Sequence, residues 1–95
     1  SLLYHPFQRG RGIISSQLVQ EEVGKITVNL VVNELFTKDE ESSLRKGLVS
    51  TVGSGTSFRM ERVESIPLTA NGKFRFVISK VSHDMSRGPN DGAQG

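Results

Sequence analysis

Between residues 25 and 52 the apolar residues change period, and that change restricts the chain to folds that mix sheet with helix. Ile26, Val28, Leu30 and Val32 alternate with Thr27 and Asn29, the period of two expected of a half-buried strand. Leu44, Leu48 and Val52 then recur every four residues, which is one stripe of an amphipathic helix. Thr37 followed three residues later by Glu40 matches a capping box, in which each side chain satisfies an orphan amide of the first turn. Asp39, Glu40 and Glu41 complement the positive end of the helix dipole. Glu41 and Arg45 stand one turn apart, the spacing of an ion pair. Gly47 lowers helix propensity by about 1 kcal/mol relative to alanine, and its missing side chain lets another element approach closely. Gly53-Ser54-Gly55 closes the helix.

Around this centre the remaining segments follow. Ile13 to Val23 reads as a strand whose apolar content comes from Leu18 and Val19, and the turn marked by Gly24-Lys25 makes an antiparallel hairpin with Lys25 to Val32 the natural pairing. Ser57 to Val63 is a third strand, with Phe58, Met60 and Arg62 on one face. Phe74 to Val81 reads as a short strand or extended segment with Phe74, Phe76 and Ile78 on one side. Residues 1–12 read as a leading extended segment and loop, because Pro6 biases His5 away from helix and Gly10 and Gly12 bracket Arg11. From Ser82 onward apolar residues almost vanish, which predicts a frayed tail over 82–95. The expectation is an α+β fold: a small antiparallel sheet of about three strands plus a short C-terminal segment, with one or more helices on one face.

The totals exclude much. Ninety-five residues make one small domain, whose core is too limited to enclose a large substrate. The net charge of +2 is too small to argue for nucleic acid. Without cysteine, disulfides and thiolate metal sites are out. No apolar run approaches the ~20 residues of a membrane helix, and no signal peptide is visible; a membrane partner is not expected. The chain begins at Ser1, which fits a fragment of a larger protein. His5 and His83 lie at opposite ends with no ligand spacing, so no metal site is expected. Ser15, Ser16, Ser42 and Ser43 fall in no nucleophile-elbow pattern.

One stretch stands apart: Ile66-Pro67-Leu68-Thr69-Ala70-Asn71-Gly72-Lys73-Phe74-Arg75. Pro67 stiffens the approach and Asn71-Gly72 favours the positive φ of a tight turn. Lys73 leaves that turn as a single positive charge on a flexible stem. Asn-Gly-Lys is by itself usually only a solvated hairpin tip.

With Glu64 and Ser65 included, the stretch resembles the closing motif of the adenylate-forming enzymes, a superfamily of acyl- and aryl-CoA synthetases, nonribosomal-peptide adenylation domains and luciferases. It looks most like the phenylacetate–CoA ligase-like branch, which includes relatives encoded with capsule genes. There a counterpart of Gln17-Leu18-Val19-Gln20-Glu21 precedes an alternating strand, and the ending resembles Gly72 to Val81. The similarity covers residues 13 to 81. It implies a mobile C-terminal lid at 13–81, hinged to a large N-terminal adenylating domain that holds ATP with Mg and a carboxylic acid substrate. By the same resemblance Lys73 is catalytic in acyl-adenylate formation, Asn71 and Gly72 present it, and Arg75 contacts phosphate or CoA. The full enzyme is then a cytoplasmic AMP-forming ligase, and the isolated piece is inactive. Leu68 departs from the pattern, standing where that superfamily commonly has a basic residue. The alternative is a stand-alone ferredoxin-like module, regulatory or nucleic-acid-binding. Against RNA, Phe58 lacks an aromatic neighbour two residues away.

Overall fold

A computed structural model describes residues 2–81; the tail expected over 82–95, with His83, lies outside the described residues. The α-helix α1 (His5–Arg9) follows a 3-10 turn at Leu2–Tyr4. Then come β1 (Ile13–Glu22), β2 (Lys25–Val32), α2 (Lys38–Val52), β3 (Ser57–Arg62) and β4 (Val77–Ser79). The strands form one sheet in the order β3-β2-β1-β4.

The α+β class and the small four-stranded sheet are as the sequence predicts, but the pairing is mixed. Only β1 and β2 run antiparallel, in a hairpin whose last pair is Glu22 with Lys25. Gly24 supplies the positive φ, +82°, that this two-residue loop requires. β3 lies parallel to β2, and β4 parallel to β1. The reason is connectivity: α2 carries the chain back along the sheet before β3 begins, and such a crossover delivers a parallel strand.

Leu18, Val28, Leu30 and Phe58 stand on the sheet face that meets Leu44 and Leu48 of α2, with Phe7 and Phe36 completing the buried cluster. Alternation puts Val19, Thr27, Asn29, Arg59 and Glu61 on the opposite face. The predicted α2 stripe is met by Leu44 and Leu48, whereas Val52 at the helix end is 38% exposed.

Thr37 caps α2, its hydroxyl accepting from the Glu40 amide at 3.3 Å. The reciprocal half of the capping box is replaced: the Glu40 carboxylate accepts from the Arg11 amide at 2.9 Å. Glu41 likewise leaves Arg45 for Arg62, 3.4 Å away, while Arg45 donates to the Phe58 carbonyl. These contacts tie α2 to β3 and to the loop between α1 and β1. Gly47 does permit a close approach: a Cβ there would lie 3.0 Å from Pro6.

The leading segment differs from expectation. Pro6 occupies the first turn of α1, where its missing N–H is no loss and its fixed φ suits a helix. Phe7 is buried, so α1 is part of the domain rather than a linker.

Candidate functional site

The chain must cross from β3 at one edge of the sheet to β4 at the other, and the Lys73 stretch lies in that crossing. Its turn is closed by three hydrogen bonds on Thr69. The Gly72 amide donates to the Thr69 carbonyl at 2.8 Å and the Thr69 amide to the Lys73 carbonyl at 2.7 Å. The Lys73 amide donates to the Thr69 hydroxyl at 3.1 Å. Ala70 and Asn71 are therefore the central pair, and Gly72 follows them with φ +77°, the pattern of a three-residue loop ending in a glycine bulge. The turn predicted from Asn71-Gly72 is present, displaced by one residue. Threonine is the residue that locks it, because one side chain and its own backbone serve three partners.

Past the turn, β1 receives the chain through a polar seam. The buried Gln17 side chain donates from Nε2 to the Arg75 carbonyl at 2.9 Å. The Leu18 amide donates to the Phe76 carbonyl at 2.7 Å and the Lys80 amide to the Gln20 carbonyl at 2.9 Å. Ser79 bonds the Gln20 side chain at 2.9 Å, and Lys80 pairs with Glu21 at 3.2 Å. Phe76 adds apolar contact, edge-on to Tyr4 and Phe7 at centroid distances of 5.1 and 5.4 Å. Sequence reasoning missed Gln17 as an anchor; its signal was a glutamine amid residues that become fully buried in a strand bonded on both edges.

Asn71, Gly72 and Lys73 are thus held together and exposed, with Arg75 two residues on and also exposed. Among the described residues Lys73 and Arg75 form no ion pair, whereas Lys25, Arg59, Arg62 and Lys80 each face a carboxylate. Leu68 is 59% exposed on the approach. His5 is elsewhere, in a groove between α1 and α2 that also contains Arg9 and Lys46. Among the described residues no three His, Asp or Glu side chains converge as a metal site, and no helix is long and apolar enough to cross a membrane.

The family described as the CapK C-terminal domain matches residues 1–80. The chain belongs to that family. It is also 36% identical over 70 residues to a Staphylococcus aureus protein described as Protein CapK, a match covering 73% of this chain and 16% of that protein. No solved structure matches.

Membership in the CapK C-terminal domain family corrects the assignment to a phenylacetate–CoA ligase-like adenylate-forming enzyme. The lid of an acid–CoA ligase and the AMP-forming ligase activity fall with it, as neither description is of a ligase. The resemblance rested on a short glycine–lysine turn and on generic strands. Such a turn is specified by local hydrogen bonding to Thr69, and local turn chemistry recurs on unrelated functions.

Proposed function

We propose that this domain is a recognition module of a longer CapK-type polypeptide, and that it presents Lys73 to an anionic group. The observation that carries this reading is the Thr69-locked turn, which holds the backbone of a lysine that pairs with no carboxylate among the described residues. A cation with its backbone already ordered loses less entropy on binding than one on a free loop. Arg75, two residues away and pinned through its carbonyl to Gln17, adds a second positive charge to the same stretch. The relative is several times longer than the matched region, which supports a role beside a larger body of the same polypeptide. One lysine and one arginine on an open surface correspond to a weak site, with dissociation constants on the order of millimolar. Amide NMR of the 95-residue chain titrated with inorganic phosphate tests the reading. Saturable shifts are expected at Gly72 and Lys73, retained in Lys73→Arg and lost in Lys73→Gln. Equal shifts in Lys73→Gln would sink it.

A further inference from the structure

A groove of about 400 Å³ opens between α1 and the start of β1, a volume at the lower end of small-molecule sites. Phe74, the residue after Lys73, closes one side, and Tyr4, Phe7, Ile13 and Ile14 supply the other walls. Three of these apolar walls stay wet: Tyr4 is 46%, Ile14 63% and Phe74 47% exposed. Ser16 also lines the groove and is only 6% exposed. By alternation it stands on the helix-covered face of β1, with Leu18, and its register partner is Leu30 of the core. Its hydroxyl has no hydrogen-bond partner among the described residues. A buried hydroxyl without a partner is destabilising, and alanine would fill the same space without that penalty.

We propose that the groove is a pocket for a small amphiphilic anion, with Ser16 as its polar anchor. An aromatic or short alkyl body packs among Tyr4, Ile14 and Phe74. A hydrogen-bonding group at the buried end meets the Ser16 hydroxyl, and the anionic end faces outward to Lys73. Phe74 and Lys73 are consecutive, so one backbone segment sets both the apolar wall and the charge. The placement of the anion rests on the reading of Lys73 given above; the pocket itself stands on Ser16 and the exposed rings.

Three probes separate the two. Inorganic phosphate offers the anion alone, nitrobenzene the ring and acceptor alone, and 4-nitrophenyl phosphate both. Nitrobenzene is expected to shift the amides of Ile14, Ser16 and Phe74, and 4-nitrophenyl phosphate to bind more tightly than either of the others. Ser16→Ala is expected to weaken nitrobenzene and 4-nitrophenyl phosphate by about threefold to tenfold, the worth of one hydrogen bond. The same variant should raise the melting temperature, an opposite movement that general damage to the fold does not produce. Absence of nitrobenzene shifts in the pocket overturns the proposal, as does unchanged binding in Ser16→Ala. Loss of phosphate binding in Lys73→Gln with nitrobenzene binding intact supports both readings. Phosphate binding that survives Lys73→Gln removes the anion's placement and leaves the pocket to be judged by nitrobenzene.

Discussion

The side of the molecule under α2 and the side that carries Lys73 are held by different forces. Under α2, Leu44 and Leu48 meet Leu18, Val28, Leu30 and Phe58 in a continuous buried cluster. Beside Lys73, Phe74 is half exposed and Phe76 only partly buried, and attachment to β1 runs through the hydrogen bonds of Gln17, Leu18 and Gln20. Apolar burial is collective and non-directional, so it decides whether the domain folds. Hydrogen bonds are few and positional, so the seam decides where Lys73 stands. The Lys73 turn can therefore be tuned in position without rebuilding the core.

The contrast breaks most visibly at Leu48, which is fully buried. Leu48→Ala should cost about 2–5 kcal/mol through lost transfer energy and a cavity. Denaturant unfolding should show one cooperative transition with both sides of the molecule melting together. Separate transitions would mean that the two sides are not one folding unit.

Gln17→Ala should have the next largest effect, about 1–3 kcal/mol, because a part-buried Arg75 carbonyl loses its donor. Here the difference between the regions is sharpened by hydrogen exchange. The amides of Leu18 and Lys80, which bridge the seam, should exchange faster, while those of Val28 and Leu48 change only by the global loss. Uniform acceleration everywhere would refute a local role for the seam.

Gly72→Ala meets no side chain but must hold φ near +77°, at a cost of roughly 1 kcal/mol. Thermal unfolding should register that small loss, and the phosphate-induced shift at Lys73 should weaken with it. The smallest change is expected from Lys80→Ala. Its ion pair with Glu21 is more than half exposed on the lysine side, and such pairs contribute less than about 1 kcal/mol. A melting temperature within a degree or two of the parent is the expected result, and a large drop would show the seam to be electrostatic.

How far these features were legible in the residues varies with the range of the interactions. The bounds of β2, the N-cap at Thr37 and the stop at Gly53 were readable because each depends on residues a few positions apart. The turn at Thr69–Lys73 was readable for the same reason, though it uses Ala70 and Asn71 as its centre. The helix at His5–Arg9 was not, because a proline after histidine suits both an extended segment and a first helical turn. Burial of Phe7 against the core resolved that choice. Nor could Gln17 or the Arg62 partner of Glu41 be foreseen, since each acquires its role from a contact far away in sequence.

Sequence alone determined the elements of this protein: a hairpin, one capped helix, a third strand and a lysine on a glycine turn. Those follow from local sterics, period and capping, which act within a few residues. Only the tertiary structure decided that two of the three ladders are parallel and that α1 joins the core. The same holds for the position of Lys73, set by a buried glutamine whose bond spans 58 positions. Chain crossing and long-range burial choose among alternatives that local chemistry leaves equal in energy.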